Sequence, residues 1–261
     1  MSGEPPAEGT DTGEEQSFLS HLIELRQRLV RAAIAIVVVF LALSPFMRDI
    51  FAILSAPLMS VLPAGTKLIA TGVVTPFMVP LKLTLFVAFL IALPYVLYQA
   101  WAFVAPGLYL HEKRLAAPVI ASSVAMFGLG MAYCYFVVFG LVFRFIANFA
   151  PASVNVAPDI DAYFSFVLGL FLAFGLTFEV PIVVVLLARF GIADVQRLKA
   201  SRPYVIVGAF VVAAIFTPPD VISQLLLALP LCLLYEAGIQ VARLVAKRAD
   251  PEAAGSATPG S

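Results

Sequence analysis

Long apolar runs alternate with short polar connections along almost the whole chain. Runs of this length, rich in Leu, Val, Ile, Phe and Ala, are typical of helices that cross a membrane. The pattern predicts an all-α, polytopic membrane protein with six transmembrane helices. These spans cover approximately residues 30–46, 77–104, 115–145, 162–188, 203–216 and 221–235.

The last two predicted spans are unusually short. Each offers about fifteen residues, or roughly 22 Å at 1.5 Å per residue, against a hydrocarbon core of about 30 Å. We therefore expect the membrane to thin there or water to enter. The third span is longer than the core requires, so it should tilt or project beyond the membrane.

Prolines and a short amphipathic stretch add local expectations. Apolar residues 50–54 lead into Pro57, which favours a short helix lying on the outer surface after the first span. Pro80 and Pro94 fall inside the second span and should kink it, because proline lacks a backbone donor and clashes with the preceding turn.

Both ends of the chain differ from the middle. Residues 1–16 contain five acidic residues together with Gly and Pro, and they contain no basic residue. This composition lacks the positive start of a secretory signal and predicts disorder. We assign residues 17–248 to the membrane domain and residues 249–261 to a second disordered segment.

Composition and charge agree with the membrane assignment and add an orientation. The 261 residues are 62% hydrophobic and 12% charged, with a mean hydropathy of +1.00. About twelve Lys and Arg residues fall with the two ends and the connections after spans two and four, against about four with the other connections. Six spans with both termini in the cytoplasm follow from this asymmetry.

Motifs of enzyme chemistry are missing from the sequence. It contains no HExxH, GxSxG or Walker A motif. Its two cysteines, Cys134 and Cys232, lie in apolar runs without metal-like spacing, which favours a packing role. We expect no enzymatic activity, no cofactor or metal, and no nucleic-acid partner.

Glu24 lies in an amphipathic segment, SFLSHLIELRQRLVR, immediately before the first span. It precedes Arg28 by four residues, an order that supports a helix through an ion pair. The segment is either a solvated, positively charged anchor or a surface that offers a carboxylate to a cationic partner. Glu112, in the connection after the second span, falls on the same side of the membrane. Two such carboxylates are suited to bind a pair of guanidinium groups, and the alternative is that each neutralises its basic neighbours.

Further polar residues fall inside or beside the later spans. Glu179 lies near the middle of the fourth span, where a charged carboxylate is costly. It should face a polar cavity or be protonated. It is either functional or structural, with Thr177 and carbonyls loosened by Pro181 as candidate hydrogen-bond partners. Thr217 and Asp220 fit a capping box for the last span, with a functional Asp220 as the alternative. Gln224 is expected to bind another helix or its own.

Several motifs, in order along the chain, resemble the TatC family, the receptor subunits of twin-arginine protein translocases. They are SHLIELRQRL before the first span, SAPL at 55–58, YQAWAFVAPGLYLHEKR at 98–114, FGLTFEVP at 174–181, RPYVIVGAFVV at 202–212 and TPPDVISQ at 217–224. The resemblance covers approximately residues 17–245. It implies a concave, six-span membrane receptor for the twin-arginine signal peptides of folded export substrates, in a complex driven by the proton-motive force.

The resemblance also implies roles for individual residues. Glu24 and Glu112 would engage the arginine pair, and Arg26 and Phe103 would belong to the same surface. Glu179 would lie in the concave face and Pro57 in a structured outer loop. Thr217, Asp220 and Gln224 belong to the region that would contact single-span TatA-like and TatB-like subunits.

Other expectations concern the setting of the chain. The resemblance implies further copies of this chain within the complex, contacts with membrane lipids, and a place in the inner, or cytoplasmic, membrane of the cell. The rival hypothesis is a proton-coupled secondary transporter of a small solute, in which Glu179 carries the proton. A purely structural membrane scaffold is the third hypothesis, and it requires none of these acids for function.

Overall fold

A computed structural model describes the backbone of residues 11–61, 69–104, 113–142, 159–216 and 221–254. Side chains are described for residues 19–55, 69–104, 116–142, 159–216, 221 and 224–244. Across these residues the chain is helical, and an isolated bridge between Ile69 and Asp159 is the one β-type pairing. The all-α prediction is therefore confirmed.

Nine α-helices of six or more described residues follow one another in the described ranges. They are α1 (Asp11–Leu43), α2 (Met47–Val61), α3 (Thr75–Val104), α4 (Lys113–Tyr133), α5 (Ile160–Phe178), α6 (Val180–Arg189), α7 (Val195–Ala200), α8 (Arg202–Phe216) and α9 (Val221–Ala254). A 3-10 turn (Ser44–Phe46) joins α1 to α2, and a π-helical turn (Cys134–Val138) extends α4. Five helical stretches are long and apolar enough to cross a membrane, and α8 is a shorter apolar helix.

Consecutive long helices run in opposite directions, so the molecule has two ends. Near the start of α1, His21 stacks on Phe103 from the last turn of α3, which defines the Glu24 end. At the opposite end, Ile160 N–H donates to the Ile69 carbonyl at 2.9 Å, which defines the Asp159 end. Because the number of crossings is even, the N-terminus of α1 and the C-terminus of α9 both lie at the Glu24 end.

The largest apolar core lies among α4, α5, α8 and α9. Phe174 and Leu170 of α5 are fully buried there beside Ala213 of α8 and Leu227 of α9. By contrast, α1 contacts mainly α3 and exposes most of its apolar side chains. The first span is thus a peripheral helix attached to a packed bundle.

Small residues let the core helices approach closely. A Cβ atom added at Gly130 of α4 would lie 2.4 Å from the Phe174 carbonyl oxygen of α5. A Cβ atom at Gly175 would lie 2.4 Å from the Phe127 ring, and one at Gly238 of α9 would lie 2.9 Å from Pro181 Cα. Close contact of this kind is how membrane helices gain packing energy without a hydrophobic driving force.

Some helix bounds differ from the sequence predictions. The expected helix after the first span is present as α2, which packs Phe51 and Leu54 against α3 and α5. However, α1 already begins at Asp11, inside the segment expected to be disordered, and α9 continues to Ala254. The 15-residue α8 is as short as predicted. The sixth span is longer than predicted, because Gln224–Leu244 forms a 21-residue apolar stretch despite Glu236 within it.

Candidate functional site

Glu24 shares one face of α1 with His21 and Arg28, which lie three positions before it and four positions after it. Arg28 Nε and Nη2 donate to Glu24 Oε1 at 2.8 and 2.5 Å. The Glu24 side chain is 38% exposed and that of Arg28 is 22% exposed. The predicted intrahelical ion pair is therefore confirmed, and the carboxylate remains open to solvent or to a partner.

Phe103 meets α1 one turn away from Glu24. Its ring stacks on His21 with the ring centroids 4.4 Å apart and the planes at 24°. Because residues three positions apart share a helix face, His21 carries Phe103 to the Glu24 face. The structure thus places Phe103 against His21, which lies 82 positions earlier in the sequence.

Arg26 points elsewhere on the same helix. It is exposed, and its position two residues after Glu24 turns it by roughly 200° around the helix axis. Arg26 and Glu24 therefore present different faces of α1. A ligand that contacts both residues would therefore have to extend around α1, or a second helix would have to complete the binding surface.

Four other predicted residues fall outside what can be described. Glu112, Thr217 and Asp220 lie outside the described residues. Pro57 lies within α2, but its side chain is not among those described. The described flanking residues show that α3 ends and α4 begins at the Glu24 end.

Glu179 occupies the junction between α5 and α6. Its N–H donates to the Leu176 carbonyl, and its own carbonyl accepts from the N–H groups of Ile182 and Val183 at 3.0 Å each. The next residue but one is Pro181, which has no N–H to donate. The backbone of Glu179 therefore lies at a helix break inside a stretch that is long and apolar enough to span a membrane.

The Glu179 carboxylate is buried without a hydrogen bond from the described residues. The residue is 6% exposed, and neither Oε1 nor Oε2 has a partner among them. Thr177, the expected donor, is buried but does not bond to it. Ser123 approaches the carboxylate, and its hydroxyl accepts the Trp101 indole N–H at 2.9 Å. Among the described residues, the partners that the sequence suggested, Thr177 and the carbonyls near Pro181, do not bond to this carboxylate.

Gln224 binds a neighbouring helix. Its Nε2 donates to the Phe210 carbonyl of α8 at 3.2 Å. Of the two alternatives for this residue, the structure selects the bond to another helix of the same chain. This bond joins the short α8 to the start of α9.

The comparison with known protein families identifies this arrangement. Residues 20–230, well over half of the chain, match the family described as "Sec-independent protein translocase protein (TatC)". The chain belongs to the TatC family. The family resemblance indicated by the sequence motifs is thus confirmed.

Curated TatC proteins cover nearly the same length. A Haemophilus influenzae TatC is 50% identical over 244 residues, which are 94% of this chain and 95% of that protein. An Escherichia coli TatC is 51% identical over 230 residues, or 88% of this chain and 89% of the relative. A crystal structure described as the twin-arginine translocase receptor TatC gives a TM-score of 0.75 at 40% identity, covering 86% of this chain and 98% of that one.

Membership of the TatC family settles the broad class. The chain is a multi-pass membrane protein and a component of Sec-independent protein translocation. Members of this family are described as protein translocase proteins. Membership of the family therefore does not favour the alternative of a solute transporter.

One polar cluster of this TatC chain escaped sequence reasoning because its partners are distant in the chain. Asp159 caps α5 by accepting from the N–H groups of Asp161 and Ala162, and its other oxygen accepts from the Thr71 N–H and hydroxyl. The Ala162 N–H, then the two Thr71 donors, lower the pKa of Asp159 to about 2. Lys82 Nζ lies 2.6 Å from Asp161 Oδ1. An acid before an apolar run signalled the cap, but nothing signalled Thr71.

A second missed cluster lies at the Glu24 end. Arg202 Nε and Nη2 donate to Glu236 Oε2 and Oε1 at 3.0 and 2.5 Å, a bidentate pair that joins α8 to α9. Beside it, the buried Tyr235 hydroxyl donates to the Leu198 carbonyl of α7 at 2.7 Å. Glu236 follows an apolar run, and a charged residue at that position was the available signal in the sequence for this cluster.

The described residues hold no group of three or more His, Cys, Asp or Glu side chains that is arranged for a metal ion. Cys134 is buried in the main core and Cys232 is half-buried, and both are free thiols. The packing role predicted for Cys134 agrees with its place among Phe174 and Leu170.

Proposed function

We propose that this chain is the receptor subunit of a twin-arginine translocase and that it binds the paired arginines of signal peptides at its Glu24 end. The observation that carries this proposal is the pairing of a half-exposed carboxylate with an adjacent aromatic contact. Glu24 is held only by its own neighbour Arg28 among the described residues, and the stacked rings of His21 and Phe103 lie one turn away. The related crystal structure is itself described as a receptor.

In the proposed mechanism, the guanidinium group of a signal-peptide arginine replaces that of Arg28 on the Glu24 carboxylate. The intrahelical pair between Glu24 and Arg28 contributes only about 0.3–0.5 kcal/mol. A guest arginine that meets the carboxylate with two parallel, charge-assisted hydrogen bonds gains more, about 1.5–3 kcal/mol for a charged group. The guest therefore displaces Arg28 at small cost. A guest lysine cannot make the bidentate contact, which accounts for a preference for arginine.

The second arginine of the guest is assigned to Glu112. That residue immediately precedes α4, which starts at the same end of the molecule as Glu24. Arg26 and the Phe103 ring complete the surface, with Arg26 contacting the part of the guest that passes around α1. No enzymatic step is part of this role.

The proposed setting is the inner, or cytoplasmic, membrane with both termini in the cytoplasm and transport driven by the proton-motive force. The excess of Lys and Arg at the Glu24 end supports this orientation. TatA-like and TatB-like single-span subunits and further copies of the chain are the proposed partners. The short α8, whose Tyr204, Val207 and Ile215 side chains are exposed, supports a helix contact there. The proposed contact residues elsewhere are Pro57, Thr217, Asp220 and Gln224, and Glu179 is proposed to lie in the concave face.

Binding of a fluorescent twin-arginine peptide to the purified full chain tests the proposal. Glu24→Gln and Glu112→Gln should each weaken binding by roughly tenfold or more, because each loses a charge-assisted bidentate contact. Replacing Arg-Arg by Lys-Lys in the peptide should weaken binding to the wild type. Asp49→Asn, an exposed acid of α2 at the other end, serves as the control and should leave binding unchanged. Equal affinity of both glutamate variants and wild type would refute the carboxylate-pair mechanism.

A further inference from the structure

A shallow, open groove runs between α1 and α3 on the exposed side of the first span. It has a volume of about 260 Å³ and is lined by Arg31, Ile34 and Ala35 from α1 and by Tyr95 from α3. Because the two helices are antiparallel, Arg31 and Tyr95 both lie roughly 12–15 Å along them from the stacked His21 and Phe103 rings. The groove is therefore separate from the proposed signal-peptide surface.

Arg31 places a positive charge at one end of this groove. It is exposed and has no hydrogen bond or ion pair with any side chain in the described part of the chain. The neighbouring Arg28, in contrast, is engaged by Glu24. Residues 32–47, which follow, carry no charge. Arg31 thus lies where the hydrocarbon part of the membrane begins, a depth from which arginine side chains reach the headgroup layer.

Apolar side chains continue from the groove into the membrane. Ile34 and Val38 are four residues apart on α1, and both are exposed. On α3, Ile91 precedes Tyr95 by four residues and is exposed on the same face. The antiparallel register sets Ile91 beside the turn of α1 that follows Arg31. A cation at the membrane boundary is therefore followed by an uncharged, apolar track.

We propose that this groove binds an anionic phospholipid, with the headgroup phosphate on Arg31 and an acyl chain along Ile34, Val38 and Ile91. A planar guanidinium matches phosphate oxygens with two parallel hydrogen bonds. Tyr95 lies at the same level with its ring 6.2 Å from that of Tyr98, and tyrosines favour this interfacial depth. The groove is too small for a helix, which is about 10 Å wide, but it accommodates one side of an extended hydrocarbon chain.

Native mass spectrometry of the purified full chain in detergent tests this proposal. The probes are dioleoyl phosphatidylglycerol and dioleoyl phosphatidylcholine, added in equal amounts. We expect wild type to retain the anionic lipid preferentially. Arg31→Gln should lower that retention by roughly tenfold, since it removes a charge-assisted contact. Arg31→Lys keeps the charge, and hence the orientation of the first span, but should still bind less because it loses the bidentate geometry.

Two controls make the result specific. Arg48→Gln removes an exposed arginine at the other end of the molecule and should leave retention unchanged. A photocrosslinking amino acid at position 34 should label lipid. Equal retention by wild type and Arg31→Gln, an equal loss in Arg48→Gln, or labelling of protein alone would overturn the proposal. Displacement of the lipid by 10 mM inorganic phosphate would also overturn it, because the acyl chain should make binding exceed that of free phosphate.

Discussion

At the scale of single residues, the ion pair between Glu24 and Arg28 holds the proposed receptor carboxylate in a defined position while leaving it exchangeable. Both nitrogens of Arg28 that contact Glu24 meet the same oxygen, Oε1. A guest guanidinium therefore competes with Arg28 for that oxygen and approaches Oε2 as well. Arg28 therefore acts as a weak internal competitor of the guest.

Removal of Arg28 should consequently improve peptide binding. We expect Arg28→Gln to bind a twin-arginine peptide about twofold more tightly, since the lost competition is only about 0.3–0.5 kcal/mol. Fluorescence anisotropy with the detergent-solubilised chain measures this difference. Arg48→Gln, which removes the same charge far from the site, controls for net charge. Weaker binding by Arg28→Gln would mean that Arg28 contacts the guest instead of competing with it.

Asp159 predicts a pH dependence of stability. Its four hydrogen-bond donors favour the charged form and lower its pKa to about 2 from an ordinary value of 3.8. The stabilisation that this carboxylate gives is present in full above pH about 4 and is lost as the pH falls towards 2. Asp159→Asn should melt a few degrees below wild type at pH 7, and the difference should shrink as the pH approaches 2. Thermal melts of both proteins from pH 7 to pH 2.5 check this.

Asp49→Asn is the matched control for that experiment, because Asp49 is an exposed aspartate towards the same end of the molecule as the half-buried Asp159. It should melt like wild type at every pH. A difference between Asp159→Asn and wild type that stays constant down to pH 2.5 would show that the cap acts through its shape and not through its charge.

At the scale of elements, the contact between α4 and α5 depends on two glycines that differ in what surrounds them. A Cβ atom at Gly130 meets backbone atoms of Phe174, which cannot move without the helix. A Cβ atom at Gly175 meets ring atoms of Phe127, a fully buried side chain, and no backbone atom is among its nearest neighbours. Gly169 on α5 has nothing within 4 Å of the added Cβ.

These surroundings predict an order of stabilities. Gly130→Ala should destabilise the protein most, by about 1–3 kcal/mol or more, because overpacking against backbone forces the helices apart. Gly175→Ala should cost less, and Gly169→Ala should be neutral or stabilising, since alanine favours helices over glycine. Thermal unfolding in detergent measures the order. If Gly169→Ala proved as destabilising as Gly130→Ala, close helix approach would not be the reason for the effect.

The sequence predicted these elements well where a helix could be recognised from its own residues, and less well where contacts decide. Apolar runs located all six spans, and the spacing of Glu24 and Arg28 predicted their pair. The resemblance alone implied that Phe103 belongs to the Glu24 surface, and its contact with His21 was not predicted, because stacking between α1 and α3 leaves no periodic signal. The bidentate pair of Arg202 and Glu236 was missed for the same reason. The sixth span is longer than predicted because the charge of Glu236 does not end the helix, which continues past it as one apolar stretch to Leu244.

At the scale of the whole molecule, the chain combines a packed bundle with two weakly covered flanks. The core of α4, α5, α8 and α9 is held by buried aromatic rings and close glycine contacts. The flank formed by α1 is mostly exposed, and it carries both the proposed signal-peptide surface and the proposed lipid groove. The other flank is α8, whose exposed side chains are apolar. Ligands and partners that cover these flanks therefore need not disturb the bundle.

The length of α8 leads to a prediction about the surrounding membrane. Its 15 residues extend roughly 22 Å, about 8 Å less than a typical hydrocarbon core. The membrane should therefore thin beside α8 or admit water at its ends. We expect a cysteine at Ala214, which is exposed near the end of α8, to react faster with a membrane-impermeant maleimide than a cysteine at Val38, which is exposed inside the longer first span. The measurement uses the full chain in lipid vesicles, with Cys232 replaced by alanine because that thiol is partly exposed. Equal protection at the two positions would show that the bilayer keeps its full thickness beside α8, and the short helix would then have to be covered by another protein helix.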